Sequence, residues 1–516
     1  MGRSRPHLPR LTTDPPAGRD QLARVHPAAY VDRVHELGGL TGYAHQGVLF
    51  DGYRGLTLDV LRGKVDFMEV LQFCGDVQPL EVQHYYHFLD LGFRLTATAG
   101  SDFPWCGTDS GPQIGNARFY TYLEGPLEFD AWKEAVRAGR LPESVVDESV
   151  RRVLRAKVRL GLFDDPYRYA HASRLETDVL TPAHRAFARE IARDAMVLLK
   201  NDGTLPLGKD LGTIAVIGAL AESQRDPLGN WAAAGRAEDA VSVLDGIRRA
   251  VGPGTRVVYE RGAPVVEADT GGFAAAVAAA RSADAVILVL GEHQEMSAEA
   301  NNRSSLDLPG VQRELARRVH AVGRPTVVVL MNGRPLSIPW LAENASAILE
   351  AWYLGVEMGP AVADVVFGDH NPSGKLPVTF PRTVGQVPIY YAHRNTGRPP
   401  DANNKYTSKY IDVHWTPQYP FGHGLSYTTF EYGPPRVARP VIGARDSVTV
   451  EVTVRNTGAR AGTEVVQLYI RDDVASVTRP VRELRGFRKV RLEPGEARTV
   501  RFLITHYDLE LRGPDL

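Results

Sequence analysis

Three carboxylates, a histidine and an arginine crowd one short stretch: Gly291-Glu-His-Gln-Glu-Met-Ser-Ala-Glu-Ala-Asn-Asn-Arg303. The stretch follows an apolar run, Ala285 to Gly291, of the kind that forms a strand covered on both faces. Its carboxyl groups therefore stand beyond the C-terminal end of that strand, where ligands bind in open α/β sheets. A carboxylic acid held there can serve as a general acid and base. On spacing alone, a solvated polar loop is the stronger reading. A second set of residues stands at three earlier strand ends. Gly42-Tyr-Ala-His45, Asp66-Phe-Met-Glu-Val-Leu71 and Ala99-Gly-Ser-Asp102 offer His45, Glu69 and Asp102. Such nitrogen and oxygen donors suit Zn, Mn or Fe, and three could hold one ion. Each also reads as an ordinary polar residue at a strand end.

The elements that must position these groups follow from hydrophobic period. Residues 1–24 are polar and Pro-rich and read as a flexible tail. In residues 25–139, short apolar runs (Leu40 to Ala44, Val65 to Phe73, Phe93 to Ala99) alternate with mixed stretches such as a helix-like Tyr30 to Leu37, the pattern of β/α units. From 143 to 162, Val146, Val150, Val153, Leu154 and Val158 recur at three- and four-residue steps, which predicts an amphipathic helix. Its arginines read as a solvated face of a linker spanning 140–175. Thr181-Pro182 predicts a helix start, with the helix running to Lys200. Apolar runs Thr213 to Gly218, Arg256 to Tyr259, Ala285 to Gly291, Pro325 to Met331 and Ala347 to Trp352 then alternate with helical stretches such as Gly272 to Arg281 and Val311 to Val322. That is an open α/β sheet. Residues 391–434 read as irregular. Ser447 to Val454 and Glu464 to Ile470 alternate with period two, and turn signals at Asn456-Thr-Gly458 and Glu493-Pro-Gly495 predict a small antiparallel β-sandwich.

Composition excludes several classes. With 60 Lys and Arg against 61 Asp and Glu, the net charge of −1 lacks the basic excess of a nucleic-acid binder. No apolar run reaches the roughly 18 residues of a membrane span. The 49 Gly and 35 Pro imply many turns, while 43 % hydrophobic residues suffice for packed cores. Cys74 and Cys106 are too few for a disulfide framework. The N-terminus has no apolar segment of the signal-peptide kind, so none is expected.

The loop at 291–303 agrees in order and spacing with further stretches. They are Val197-Leu-Leu-Lys-Asn201, Arg225-Asp-Pro-Leu-Gly-Asn-Trp231, Leu330-Met-Asn-Gly-Arg-Pro335, Val366-Phe-Gly-Asp-His-Asn-Pro-Ser-Gly-Lys-Leu-Pro377 and Tyr419-Pro-Phe-Gly-His-Gly-Leu-Ser-Tyr427. Together they resemble the family 3 glycoside hydrolases, of the bacterial periplasmic β-glucosidase type, over residues 140–516. The helix Val150 to Phe163 is similar to the one that leaves that family's barrel. The resemblance implies an α/β sandwich at 176–434 and a fibronectin type III-like β-sandwich at 435–516, so the fold class is α/β plus all-β. It implies retaining hydrolysis of a β-glucoside or related oligosaccharide, with no cofactor. Glu299, in Ser297-Ala-Glu-Ala300, sits where the family's general acid/base is found. Glu295 is the runner-up. Arg303 is expected to orient Glu299 or screen its charge, and both Arg303 and Glu295 to contribute to substrate binding. Such enzymes are often periplasmic or secreted, which leaves the compartment open, as is the oligomeric state.

A retaining glycosidase needs two carboxyl groups roughly 5–5.5 Å apart. In family 3 the nucleophile is an Asp on a barrel of about 250 residues. Far fewer residues precede the linker helix here, so an incomplete barrel, a missing nucleophile and slow or absent turnover are expected. Gly92-Phe-Arg-Leu with Ser101-Asp102 loosely resembles the nucleophile strand and makes Asp102 the one candidate. Residues 25–139, with Ile114 to Tyr122 and Phe129 to Arg140, more closely resemble the C-terminal half of a PHP-type metal-dependent hydrolase. On that alternative His45, Glu69 and Asp102 are metal ligands, although the family's early His-x-His pair has no counterpart in the first 25 residues. Ala135 to Arg140 fits both families, so the chain reads as a join. The segment Leu509 to Leu516 stops before the last strands of such a sandwich, so a truncated domain with an unpaired edge is expected. A non-catalytic sugar-binding remnant is the third reading.

Overall fold

A computed structural model describes residues 142–509 except 169, 170, 172, 234, 300, 444 and 476, together with residues 133 and 136–139 and three earlier strands. They belong to two compact units, Met1–Ala170 and His171–Leu516.

In the first unit, β1 (Gly42–Tyr43), β2 (Phe67–Gln72) and β3 (Thr96–Gly100) form a parallel sheet in that order. They fall inside or one residue beyond the three expected apolar runs. Helix α1 (Glu143–Arg159) is held by its own sequence. Arg151 and Arg152 reach back one turn to Asp147 and Glu148 at 3.0 and 3.3 Å. Such exposed pairs contribute only a few tenths of a kcal/mol each. The helix stops three residues before the expected Leu162. Gly161 there has φ +69°, a conformation glycine adopts freely, and its N–H caps the Val158 carbonyl. Val150, Val153, Leu154 and Val158 are exposed along with the arginines, so the helix is solvated on both faces.

In the second unit, α2 (Pro182–Ala195) begins as expected, with Thr181 Oγ1 accepting from the His184 N–H at 3.2 Å. It ends at Ala195 and does not continue to Lys200. Val197–Asn201 is strand β4. The reason is burial: Val197, Leu198 and Leu199 are all inaccessible, which a strand between two covered faces allows and a half-exposed helix does not.

The central sheet comprises β4, β5 (Thr213–Ile217), β6 (Arg256–Glu260), β7 (Ala285–Gly291), β8 (Thr326–Met331) and β9 (Ala347–Glu350). Its order is β4-β9-β8-β7-β5-β6, parallel except for the antiparallel edge strand β4. Successive residues of each strand point to opposite faces. Ile214, Ile287, Val289, Val327 and Val329 pack under α2, α3 (Val243–Ala250) and α7 (Met358–Val366). Ala215, Ile217, Val286, Leu288, Val328 and Leu330 pack under α4 (Phe273–Ser282), α5 (Gln312–His320) and α6 (Pro339–Asn344). Each fully buried Val, Leu or Ile contributes about 1.5–3 kcal/mol. The α3 and α7 backbones touch: a Cβ on Gly246 would lie 2.1 Å from the Gly359 carbonyl.

Most of 391–434 is irregular, as expected, and ends in β10 (Phe430–Tyr432). The β-sandwich follows. One sheet holds β10, β11 (Arg436–Val437), β12 (Val448–Asn456) and β15 (Ala497–Ile504); the other holds β13 (Gly462–Ile470) and β14 (Glu483–Leu492). Val454, Val466, Val490, Leu492, Val500 and Phe502 make its core. Glu464 links it to the α/β part, accepting from Tyr432 Oη at 2.9 Å and Lys375 Nζ at 3.3 Å.

Candidate active site

The 291–303 loop leaves the sheet at the C-terminal end of β7, between β5 and β8. Gly291 makes that exit possible. It has φ +142°, and a Cβ there would lie 1.9 Å from the Met331 carbonyl oxygen. Buried Gln312 clamps it from α5, accepting from the Gly291 N–H at 2.8 Å and donating to its carbonyl at 2.8 Å.

The next residue, Glu292, is completely buried, and its backbone N–H donates to Met331 O at 2.8 Å. Two guanidinium groups meet its carboxylate: Arg303 Nη1 at 2.5 Å and Arg334 Nε at 3.3 Å. Arg334 also donates to the Met296 and Asn301 carbonyls, and Arg303 to the Asp307 carbonyl. One buried carboxylate thus ties both ends of the loop to β8. Two more groups fix its start. Tyr353 Oη donates to the His293 carbonyl at 2.9 Å. Buried Asp226, in the loop after β5, accepts from the Gln294 N–H at 2.9 Å, from Ser223 Oγ at 2.7 Å and from His293 Nδ1 at 3.3 Å. Burial pushes the Tyr353 hydroxyl far up, aided by the Glu292 charge, so it stays a donor.

At the end of β9 stands a second inaccessible carboxyl group, Glu350. It accepts from Asn332 Nδ2 at 3.2 Å and from the Trp352 N–H at 3.1 Å. Burial raises its pKa well above the usual carboxyl range.

The tip of the loop is different. Glu295 and Glu299 are exposed. The Glu295 carboxylate meets the exposed Arg225 guanidinium at 3.4 Å, and its carbonyl accepts from Asn301 Nδ2 at 2.5 Å. Arg303, expected to orient or screen Glu299, is committed to Glu292 instead. Its planar fork is turned inward because Glu292 is the buried charge that cannot be left unpaired. Glu69 lies in β2, with its side chain outside the described residues; His45, Asp102, Cys74 and Cys106 lie outside them altogether. Among the described residues, no group of three His, Cys, Asp or Glu side chains could hold a metal ion, and no helix is long and apolar enough to cross a membrane.

Residues 196–427 match the glycosyl hydrolase family 3 C-terminal domain, and residues 464–515 a fibronectin type III-like domain. The chain is 46 % identical over 395 residues to a periplasmic β-glucosidase of Salmonella typhimurium, covering 72 % of this chain and 52 % of that protein. It is 43 % identical over 469 residues to a β-xylosidase of Formosa agariphila, covering 89 % and 62 %. Among solved structures, the β-glucosidase of Listeria innocua with isofagomine superposes with a TM-score of 0.66 at 40 % identity, over 74 % of this chain and 53 % of that one. With gluconolactone bound, the same enzyme gives 0.72 at 32 % identity, over 96 % and 66 %. The chain therefore spans between half and two-thirds of the length of these relatives. Identity drops as the Listeria alignment widens, so the added residues carry few identical positions. Alignments this wide run into residues 25–139, and they are to β-glucosidases and β-xylosidases; a PHP-type likeness has no support from them.

The structure also brings in groups that sequence reasoning passed over. Glu292, Asp226 and Arg334 all lie in the stretches matched above, yet their role is legible only once β5, β7 and β8 are neighbours.

Proposed function

We propose that this chain supplies the general acid/base half of a retaining β-glycosidase of the β-glucosidase type, with Glu299 as the proton donor. The observation that carries the reading is the contrast within one loop. Its base is fixed by Gln312, Arg303, Arg334, Tyr353 and Asp226, while Glu299 stands exposed at the tip. In the first step Glu299 gives its proton to the glycosidic oxygen as a carboxylate attacks the anomeric carbon. In the second it takes a proton from the water that releases the sugar. No cofactor is needed. Asp102 is the candidate for the attacking carboxylate. A glucose- or xylose-configured substrate both suit the reading, since the relatives include enzymes named for each. An exported location, as in the Salmonella relative, goes with it. The domain limits proposed are 176–434 and 435–516, after a linker at 140–175.

Leaving-group dependence tests the proton donor. Glu299→Gln is expected to lower hydrolysis of cellobiose about 10²–10⁴-fold, and of dinitrophenyl β-glucoside, which needs no proton, far less. Asp102→Asn is expected to abolish both. Wild-type chain without turnover on either substrate, with glucose still bound, would replace the enzyme reading by sugar binding alone. Turnover that requires Mn²⁺ and His45 would favour the metal-hydrolase reading of residues 25–139.

A further inference from the structure

A groove of about 1740 Å³ opens on the second unit, between the irregular segment around 386–417 and residues 469–482 at the end of the β13–β14 pair. It shares no lining residue with the 291–303 loop. Its volume exceeds the roughly 300–1,000 Å³ of sites for single small molecules. Its floor is rigid. Tyr391 stacks on Phe421 with centroids 4.2 Å apart, and Tyr469 meets Tyr391 edge-on at 5.8 Å.

Three further aromatic rings line the groove. Tyr390 and Tyr410 are 54 % and 44 % exposed. The Tyr410 hydroxyl donates to the Gly385 carbonyl at 3.2 Å, which fixes that ring, and Trp415 stacks on His414 at 4.2 Å. An exposed aromatic ring held in place, as Tyr410 is, has little entropy left to lose on binding. Several charged groups of the groove have partners. Arg471 pairs with Asp473 at 2.8 Å, Arg479 with Glu483 at 3.0 Å, and Arg482 lies over the Tyr469 ring at 5.7 Å. The groove presents aromatic faces and peptide groups, with the exposed Arg394 among its polar groups. That combination suits a long, hydroxyl-rich ligand whose C–H faces pack on rings and whose hydroxyls meet peptide groups and an arginine.

We propose that this groove binds a neutral oligosaccharide of several sugar units. The class of ligand rests on the glycosidase reading above. Native electrophoresis of the full chain in gels containing laminarin tests it, with heparin gels as the anionic counterpart and hydrolysis of dinitrophenyl β-glucoside measured in parallel. Laminarin is expected to retard wild type and Glu299→Gln equally. Tyr390→Ala and Trp415→Ala are each expected to weaken retardation about tenfold, and Trp415→Phe to keep it. Tyr410→Ala takes the place of either alanine variant that fails to fold. Retardation that survives the alanine variants, that is lost in Glu299→Gln, that occurs in heparin alone, or that is absent overturns the groove as a saccharide site. Hydrolysis without retardation overturns the groove and spares the glycosidase reading; retardation without hydrolysis does the reverse.

Discussion

Glu292 and Glu350 stand two strands apart at the same edge of one sheet, both inaccessible to water, and they differ in what meets them. Glu292 faces two guanidinium groups. Glu350 faces an amide, a peptide N–H and, further off, the negative charge of Glu292 itself. An unpaired charge in the interior costs several kcal/mol. Two arginines pair with the first carboxyl group, while burial without an ion-pair partner raises the pKa of the second. Two glutamates at the same depth thus differ because their neighbours differ. The paired one ties down a loop, and the other accepts from Asn332.

The sharpest way to break this contrast is to remove Glu292. Glu292→Ala leaves Arg303 and Arg334 facing each other in the interior with no counter-charge. The expected loss is about 3–5 kcal/mol of unfolding free energy, read from denaturant midpoints. The loop, freed from both guanidinium groups, should also become sensitive to brief proteolysis between 294 and 303. Glu292→Ala no more costly than Glu350→Ala would mean that the two sites are energetically alike and that the ion pairs only decorate one of them.

Acidity gives the next largest effect, and its sign follows from Glu350. The folded-state pKa is raised above the unfolded value near 4.5. Its contribution is therefore fully present below about pH 4.5 and is lost as pH rises through the folded value, by at most about 1.4 kcal/mol per pH unit. Glu350→Gln keeps the shape and one hydrogen-bond donor but cannot ionise. Its stability relative to wild type is expected to rise steadily from pH 4.5 upward, in thermal or denaturant unfolding at matched pH values. A constant difference between the two proteins across that range would show that Glu350 titrates normally and that its partners stabilise the charge.

The sequence exposed part of this arrangement and hid the rest. Continuous apolar runs located five of the six strands of the central sheet, because strands covered on both faces have no polar period to confuse. Strand β4 was hidden by its own neighbour. The helical pattern of Pro182–Ala195 runs into Val197-Leu-Leu without a breaker, and only pairing with β9 turns that segment extended. The period-two alternation of Val448–Asn456 and Gly462–Ile470 marked the sandwich plainly. At the site, the loop and its acidic content were legible, and the resemblance singled out Glu299. The roles of Glu292, Asp226, Arg334 and Tyr353 were not, since they lie up to 127 positions apart and meet only through the order β9-β8-β7-β5. The pairing of Arg303 with Glu292 was hidden for the same reason: spacing along the chain cannot tell which of three nearby acids turns inward.

The smallest effect tests whether the loop tip is independent of its base. Glu295 and Glu299 are exposed, and the 3.4 Å contact between Glu295 and Arg225 joins two side chains that are each mostly in water. Salt and solvent screen such a pair almost completely. Glu295→Gln and Glu299→Gln are therefore expected to shift the unfolding free energy by no more than about 0.5 kcal/mol, measured in the same denaturant series as Glu292→Ala. If stability stays put while hydrolysis in Glu299→Gln falls, the tip is a chemical group carried on a rigid mount. A loss of 1 kcal/mol or more in Glu299→Gln would instead make that carboxylate part of the mount, and any fall in its activity would no longer identify it as the proton donor.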